Sequence, residues 1–370
     1  MARLRSPTHG GNVYAASRDL GRGVHNLIDF SASINPLGPS PRVWRAIADS
    51  RDLMAHYPDP DCWELRHTLA TCWDRQPEEI AVGNGSTELI DVLPRALKIR
   101  HLLVAHPTFS EYAAAMERAG GRVSAVYAKR AEQYMQPIGD LCHVLDTRRP
   151  KSSAIDGVML CNPNSPTGQA CTVDEIRRLA EVTQRRGMWL LIDEAFCDYC
   201  SDRSFLPVAA LWPRVVILRS VTKFYALPGL RVGYAVAKPA VIKALRRQMP
   251  PWSVNVMGQA AALAAVNDSS YVQKSVRFMD RERERVGIML AALPGCLVTP
   301  TYANYFFLEI PRGWHVHDLS AKLRDEGLLI RDCSAVPGAN SRLIRLAVRS
   351  QRENDFLLQA LSKILREHRP

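Results

Sequence analysis

The stretch "SVTKFYALPGLRVGY", from Ser220 to Tyr234, places a lysine next to hydroxyl side chains and eight residues before an arginine. The apolar run directly before it predicts a buried strand, so Lys223 follows a strand end, where α/β sheets bind ligands. Burial and nearby cations would lower the pKa of this amine and make it a nucleophile. Ser220, Thr222 and Arg231 supply donors for a phosphate, and the arginine offers a fork of donors that a lysine lacks. The stretch therefore predicts a site for an anionic carbonyl compound.

Short apolar runs alternate with helical patterns in the surrounding sequence. The helical pattern is clearest between Thr172, a candidate N-cap, and Gly187, a candidate C-terminal stop, because its apolar residues recur every three or four positions. Continuous apolar strands alternating with helices predict an α/β fold, with a mostly parallel sheet covered on both faces. The runs that we interpret as buried strands are "HLLVAHP" (101–107), "RVSAVYA" (122–128), "GVMLCNP" (157–163), "MWLLIDEAF" (188–196) and "RVVILRS" (214–220).

The pattern of apolar and charged residues changes after about Trp252, which predicts two lobes. An Arg/Glu-rich helical stretch leads to "YANYFFLEI" and "SRLIRLAVRS", which indicate strands of a smaller α+β domain. We expect residues 1–40 to form an N-terminal arm and part of the small domain. Residues 41–254 would form the large ligand-binding domain, and residues 255–370 the small C-terminal domain. With 370 residues, 47% of them hydrophobic, the chain is long enough to bury such a core.

Composition excludes several classes of function. The net charge of +11 comes from arginines interleaved with acids on helical stretches, which is typical of solvated helix faces and disfavours nucleic acid as a partner. No run of about 18 apolar residues predicts a membrane span, and the N-terminus lacks the apolar stretch of a secretory signal. Nine cysteines without framework spacing indicate a reducing compartment, so we expect a cytoplasmic protein. For the C-x-x-C pair Cys197 and Cys200 we favour packing over redox chemistry, and we expect no metal.

Two further strand ends carry polar groups. In "GNGSTELIDVLPRAL", Gly83 and Gly85 precede a helix that should start near Ser86, which fits either a phosphate site or an ordinary capped helix start. Pro94 predicts a kink in that helix. Asp193, in "LLIDEAF", would be half-buried and would require a cationic partner, either a structural arginine or a protonated ring nitrogen. Together with the lysine stretch, these groups describe a pyridoxal phosphate site, in which the lysine forms an imine and the aspartate keeps the pyridine nitrogen protonated.

The order of "GNGSTE", "NPNSPTG", "DEAF" and "SVTKFYALPGLRVGY" resembles the fold-type-I pyridoxal phosphate enzymes of the aspartate aminotransferase superfamily, over nearly the whole chain. The resemblance implies that Lys223 is the Schiff-base lysine and Asp193 the partner of the ring nitrogen. It also implies that Phe109 stacks on the cofactor ring. Tyr57 would reach the cofactor phosphate of a neighbouring subunit, which implies a homodimer with shared active sites. The residues implied around the cofactor phosphate are Gly85, Ser86, Thr87, Ser220, Thr222 and Arg231.

Two positions depart from the pattern of this superfamily. Ser165 stands where an asparagine usually precedes Pro-Thr-Gly, and Asn164 lies one place earlier. Phe196 stands where a tyrosine often donates a hydrogen bond to the ring oxygen of the cofactor. With fewer donors near that oxygen, we expect the imine formed by the lysine to titrate unusually.

The segments "HGGN" (9–12), "LIDFSASINPLG" (27–38), "PWSVN" (251–255) and "RLAVRS" (345–350) are similar to the threonine-phosphate decarboxylase family within this superfamily. This implies that the protein is a lyase that converts L-threonine O-3-phosphate into (R)-1-aminopropan-2-yl phosphate and CO₂ for the cobalamin nucleotide loop. Arg345 would hold the α-carboxylate of the substrate, and Arg349 would add a second cation. His9 and Asn35 are further candidates for the substrate end.

Two alternatives remain open at this point. A histidinol-phosphate aminotransferase would share the scaffold and also bind a phosphorylated amine. A pyridoxal-binding regulator would carry a DNA-binding domain, and no helix-turn-helix pattern precedes this scaffold in the sequence.

Overall fold

The computed structural model describes residues 9–147 and 154–367. The helices are α1 (Val13–Leu20), α2 (Pro41–Asp49), α3 (Trp63–Trp73), α4 (Gly85–Ala96), α5 (Glu111–Arg118), α6 (Ile138–Thr147), α7 (Val173–Arg185), α8 (Pro239–Arg246), α9 (Val256–Val266), α10 (Ser269–Ala291), α11 (Val316–Asp325) and α12 (Gln351–Glu367). The strands are β1 (Ile28–Asp29), β2 (Ile80–Asn84), β3 (His101–His106), β4 (Arg122–Tyr127), β5 (Gly157–Cys161), β6 (Trp189–Asp193), β7 (Val215–Ser220), β8 (Val232–Val236), β9 (Leu297–Thr299), β10 (Tyr305–Glu309), β11 (Leu328–Leu329), β12 (Arg331–Asp332) and β13 (Leu343–Ala347). None of the helices in these two described ranges is long and apolar enough to cross a membrane.

The large sheet has seven strands in the order β2-β8-β7-β6-β5-β3-β4. Neighbouring strands from β4 to β7 run parallel, whereas β8 is antiparallel to both β7 and β2. The mostly parallel α/β sheet predicted from the sequence is therefore confirmed. The sequence analysis recognised the end of β2 from the polar groups that follow it but did not give the strand, and it did not identify β8, because a glycine interrupts the apolar run of each, at Gly83 and Gly233.

One strand prediction was wrong in part. The run from Arg122 to Ala128 forms β4 as predicted, but Arg122 and Tyr127 are exposed and the residues between them are only half-buried. The strand lies at the edge of the sheet and pairs with β3 alone, so it is covered less than the central strands. An apolar run does not distinguish an edge strand from a central one when it is read without its neighbours.

Both faces of the large sheet are covered, as the sequence predicted. Along β7, Val216 and Leu218 belong to one core cluster and Val215 and Ile217 to the other, because successive side chains of a strand point to opposite faces. Helices α4, α5 and α8 supply the first cluster, and α2, α3, α6, α7 and α9 supply the second.

Helix α7 has the predicted boundaries. The Thr172 hydroxyl accepts a hydrogen bond from the Glu175 backbone N–H, and the Glu175 carboxylate accepts one from the Thr172 backbone N–H, which completes a capping box. The helix ends at Arg185, and Gly187 takes the left-handed conformation with a φ of 66°.

The second sheet is antiparallel, has the order β12-β13-β10-β9 and packs against α10 and α12. The N-terminal strand β1 pairs parallel with β11, and the Phe30 carbonyl accepts a hydrogen bond from the Ala347 N–H. Residues 28–30 therefore join the C-terminal part of the chain. Helix α9, beyond the predicted limit at residue 254, contributes Ala261, Ala262 and Ala265 to a core cluster of the large sheet. The domain limits stay a prediction.

Candidate active site

A cavity of about 680 Å³ lies at the carboxyl ends of β5, β6 and β7. One wall comes from the large sheet and the start of α4, and the other from the N-terminal segment and from residues 331–349. Strand ends and the N-terminus of a helix meet here, as expected for a ligand site of an α/β sheet. The sequence-predicted residues that line the cavity are His9, Ser86, Thr87, Phe109, Ser165, Asp193, Ser220, Thr222, Lys223, Arg231, Arg345 and Arg349.

Lys223 follows the end of β7 and faces this cavity. Burial, followed by the positive charges of Arg345 and Arg231, lowers the pKa of its amine to about 8. Among the described residues no carboxylate lies within ion-pair distance of this amine. A substantial fraction of the side chain is therefore neutral near pH 8, and the neutral amine is the form that attacks a carbonyl carbon.

Asp193 ends β6 and is almost completely buried, with 4% of its surface exposed. Its carboxylate accepts hydrogen bonds from the Tyr112 hydroxyl at 2.8 Å and from the Ala195 backbone N–H at 3.0 Å. The sequence left a structural arginine open as a possible partner, but none forms an ion pair with Asp193 among the described residues, and Arg219, whose charge acts on Asp193 from a distance, binds Glu194 and Asp198 at 3.0 and 2.8 Å. Asp193 thus presents its carboxylate to the cavity without an arginine on it.

The start of α4 forms part of the cavity wall. Helix α4 begins at Gly85, one residue before the predicted start, and Ser86 and Thr87 in its first turn line the cavity. Gly85 has a φ of 75°, and a Cβ built on it would lie 2.6 Å from Nη2 of Arg231. Only glycine lets the arginine lie against this turn. The helix runs through Pro94 to Ala96.

Hydroxyl groups complete this end of the cavity. The Ser220 and Thr222 hydroxyls lie 2.7 Å apart and share a hydrogen bond. With the α4 turn and the Arg231 guanidinium, they form a cluster of donors suited to a phosphate dianion, because charge-assisted hydrogen bonds to phosphate are strong.

The two unusual positions differ in their surroundings. The Ser165 hydroxyl accepts a hydrogen bond from Nη1 of Arg345 at 3.0 Å and lines the cavity. Phe196 also lines the cavity and packs edge-on against the Tyr305 ring, 5.0 Å between centroids. Asn164 does not line it: its side-chain oxygen accepts from Thr108, and its amide donates to the Pro107 carbonyl and to Thr167.

Arginines dominate the wall formed by the C-terminal part of the chain. Arg345 is buried, donates to the Ser165 hydroxyl and to the Ser31 carbonyl, and lies over the Tyr305 ring. Burial and the neighbouring charge of Arg331 lower the pKa of its guanidinium to about 10. Arg349 donates to the Asp29 carbonyl at 3.1 Å and to the Glu353 carboxylate at 2.8 Å.

His9 closes the cavity from the N-terminal segment. Its Nε2 atom lies 2.7 Å from the Glu111 carboxylate at the start of α5, and its ring lies 5.6 Å from that of Phe109. This contact links the N-terminal segment to helix α5. Within the same part of the chain, the Gly11 backbone N–H donates a hydrogen bond to the Ser31 hydroxyl.

Asn35 and Tyr57, like Asn164 and Gly85, are predicted site residues that do not line the cavity. Asn35 is 3% exposed and donates to the Phe224 carbonyl and to the Tyr271 and Ser275 hydroxyls, so its amide holds the chain together beneath the site. Tyr57 is 80% exposed and stacks on Trp252, 4.8 Å between ring centroids.

The sequence analysis missed several residues of the cavity. Arg331 pairs with Arg345 across the strands β12 and β13, a tertiary neighbour relation with no signal in local sequence. Tyr112 does have a signal, because it follows Phe109 by three residues in "HPTFSEY" and so returns to the same side of the helix start. The missed lining residues also include three carboxylates, Asp29, Glu111 and Asp332.

Comparisons with known proteins show which chains and structures this one is similar to. The family "Aminotransferase class I and II" matches residues 25–361. The chain is 36% identical over 364 residues to threonine-phosphate decarboxylase of Salmonella typhimurium, covering 98% of each chain. It is 31% identical to a histidinol-phosphate aminotransferase of Moorella thermoacetica, over 96% of this chain and 89% of that one. The crystal structure of L-threonine-O-3-phosphate decarboxylase from Porphyromonas gingivalis, 25% identical, superimposes with a TM-score of 0.80 over 91% of this chain and 99% of that chain.

Proposed function

The chain belongs to the aminotransferase class I and II family, and we propose that within it the protein is a decarboxylase of L-threonine O-3-phosphate. It is a pyridoxal phosphate enzyme of fold type I. In the proposed reaction the carboxylate leaves as CO₂ and a proton takes its place on Cα. The product is (R)-1-aminopropan-2-yl phosphate, a precursor of the cobalamin nucleotide loop.

The residues of the cavity fit pyridoxal phosphate. Lys223 supplies a buried amine with a pKa near 8, and Asp193 supplies a carboxylate that would hold the ring nitrogen in its protonated form. The turn at Gly85 leaves room for the Arg231 guanidinium, which with Ser86, Thr87, Ser220 and Thr222 would hold the phosphate. Phe109 would cover one face of the ring.

The observation that carries the proposal is the number of arginines on the other wall. Arg331, Arg345 and Arg349 all line the cavity there, in addition to Arg231 at the cofactor end. A phosphorylated amino acid has two anionic ends, a carboxylate and a phosphate, and arginine forks bind both kinds of group. Histidinol phosphate has no carboxylate, but the 2-oxoglutarate that an aminotransferase also binds has two, so this wall supports a substrate with anionic ends in either case. The similarity to threonine-phosphate decarboxylase over 98% of each chain favours the decarboxylase.

The pyridine ring of the cofactor acts as an electron sink for a bond at Cα of the substrate. The protein selects the bond by orientation, because the bond that breaks must stand perpendicular to the ring. Arg345 suits the role of carboxylate anchor, since the Ser165 hydroxyl and the Ser31 carbonyl fix its guanidinium in place. Arg331 and Arg349 would hold the phosphate end, and His9 would close the cavity over it.

A pair of assays tests the proposal. With L-threonine O-3-phosphate we expect CO₂ release without any 2-oxo acid, and no conversion of the cofactor into its amine form. With histidinol phosphate and 2-oxoglutarate we expect no glutamate. Lys223→Ala serves as the blank for both assays. Glutamate formation without CO₂ release would make the protein an aminotransferase and refute the proposal.

A homodimer is the second part of the proposal. Met54, Tyr57 and Trp252 expose 66, 80 and 48% of their surfaces, and the Tyr57 and Trp252 rings stack to form one apolar patch. An exposed patch of this kind marks an interface, and a second copy would place its Tyr57 near the cofactor phosphate of the first. Sedimentation should give a dimer at micromolar concentration, and a monomer would contradict this part of the proposal.

A further inference from the structure

The side chain that hydrogen-bonds Asp193 is Tyr112. Tyr112 is 1% exposed, and its hydroxyl donates a hydrogen bond of 2.8 Å to Oδ2 of Asp193. In the described part of the chain, this hydroxyl is the one side chain that hydrogen-bonds the carboxylate, whose Oδ1 is taken by the Ala195 N–H. The bond joins residues 81 positions apart in sequence.

Tyr112 is placed to reach this carboxylate by the order of the strands. It lies in the first turn of α5, which follows β3, whereas Asp193 ends β6, and β5 separates these two strands in the sheet. The side chain therefore crosses the end of β5. Its ring also meets the ring of Phe109 edge-on, with centroids 5.5 Å apart and planes at 82°. One tyrosine thus contacts both residues that would hold the pyridine ring.

The charge state of Asp193 depends on few groups. Burial raises the pKa of its carboxyl, and the hydrogen bonds from Tyr112 and from the Ala195 N–H oppose that rise, followed by the more distant charges of Lys223 and Arg219. Burial and the Asp193 charge raise the pKa of Tyr112 well above its usual value, so this hydroxyl remains a donor across the physiological range. Each carboxylate oxygen keeps a lone pair free after these bonds, and one can accept the ring N–H.

We propose that Tyr112 is a positioning residue for the cofactor, which holds the Asp193 carboxylate ionised and aimed at the pyridine nitrogen. The inference rests on the cofactor of the proposed function and not on its substrate. If Tyr112 has this role, its hydroxyl should increase the affinity for the cofactor only when the ring contains the nitrogen, because the nitrogen is the atom that Asp193 would touch.

A purely structural role is the competing explanation. Tyr112 belongs to the core cluster formed by α4, α5 and α8, where its ring would be buried whatever its hydroxyl does. Tyr234 provides a matched control. It is also buried, with 5% exposed, and its hydroxyl accepts a hydrogen bond from the Trp73 indole N–H at 2.9 Å, but it does not line the cavity.

The test is the affinity of apoenzyme for two cofactors, pyridoxal phosphate and 1-deazapyridoxal phosphate, in which a carbon replaces the ring nitrogen. Tyr112→Phe should weaken binding of pyridoxal phosphate about tenfold, the ratio that about 1.4 kcal/mol produces. Binding of the deaza analogue should be the same in Tyr112→Phe and in the unaltered protein. Tyr234→Phe should change neither affinity.

An equal loss for both cofactors, or no loss for pyridoxal phosphate, would overturn the inference. A second comparison does not depend on the deaza analogue: in apoenzyme carrying Asp193→Asn, adding Tyr112→Phe should cost no further affinity for pyridoxal phosphate, and a further loss would also overturn the inference. Neither titration involves substrate. A chain that passes both tests yet releases no CO₂ would refute the proposed decarboxylation alone.

Discussion

The two ends of the cavity are built in different ways. At the cofactor end, Asp193 is the last residue of β6, Lys223 lies in the loop after β7, and Ser86 lies in the first turn of α4; each lines the cavity from its own short segment. At the substrate end, Arg345 and Arg349 lie along one C-terminal strand and its extension, and their guanidinium groups are bound to carbonyls of the N-terminal segment. The first end is formed within the large sheet. The second exists only once distant parts of the chain have met.

This difference suggests a division of labour. The lysine amine at the cofactor end has no carboxylate partner among the described residues and a lowered pKa, so it is ready for covalent chemistry. At the substrate end, Arg345 already has hydrogen-bond partners, the Ser165 hydroxyl and the Ser31 carbonyl, which fix its direction. Chemistry should therefore be lost by changes at the first end, and orientation and affinity for substrate by changes at the second.

The largest effect is expected from Lys223→Ala. Removing the amine should abolish the visible absorbance of lysine-bound pyridoxal phosphate and all turnover, because no other buried lysine faces the cavity among the described residues. The fold should persist, as judged by circular dichroism. Lys129→Ala, at an exposed lysine paired with Glu132, is the control and should keep both properties. Normal turnover of the Lys223 variant would refute the assignment of the whole cofactor end.

A smaller effect is expected from Arg345→Gln at the substrate end. Loss of a charged hydrogen bond contributes about 1.5–3 kcal/mol, so the KM for L-threonine O-3-phosphate should rise roughly tenfold to a hundredfold. The variant should still bind the cofactor and show the visible absorbance of its lysine-bound form without substrate, and loss of the Arg345 charge should raise the pKa of the lysine amine. Steady-state kinetics and the absorbance spectrum together check this separation of the two ends.

Arg66→Gln is a matched control for that change. Arg66 and Arg345 are each 8% exposed, and Arg66 donates to the Ile80 and Pro77 carbonyls, but it lies outside the cavity. Its replacement should lower thermal stability and leave KM unchanged. An equal rise in KM for both variants would mean that Arg345 acts through general stability and not as a substrate anchor.

The difference between the cofactor end and the substrate end also explains which site residues the sequence could predict. Lys223, Asp193 and the Gly85 turn were found because each sits at a strand end or helix start that hydrophobic patterning locates. Arg331 was missed because it reaches the cavity through pairing of β12 with β13, which local patterning does not specify. Asn35 was placed at the substrate end, but its amide is committed to Phe224, Tyr271 and Ser275. A motif carried over by resemblance gives the position of a residue and not the direction of its side chain.

Ser165 lines the cavity and binds Arg345, so its replacement tests how sharply the cofactor end and the substrate end are separated. Its hydroxyl lines the cavity and accepts from Arg345, which leaves one hydrogen to donate. An asparagine has both an acceptor and two donors, so it could keep the arginine and also donate to the ring oxygen of the cofactor. Phe196 offers no hydroxyl there, so the added donor would have little competition.

The smallest effect is therefore expected from Ser165→Asn. A new donor stabilises the deprotonated form of the lysine-bound cofactor, so the pH midpoint of its absorbance should fall by roughly 0.5 to 1 unit, as one hydrogen bond of about 0.5–1.5 kcal/mol predicts. Ser165→Ala, which removes the acceptor of Arg345 and adds no donor, should raise KM but leave the midpoint where it is. If the midpoint does not move in the asparagine variant, the side chain at position 165 does not reach the ring oxygen of the cofactor. Ser165 would then act only on the substrate, through Arg345.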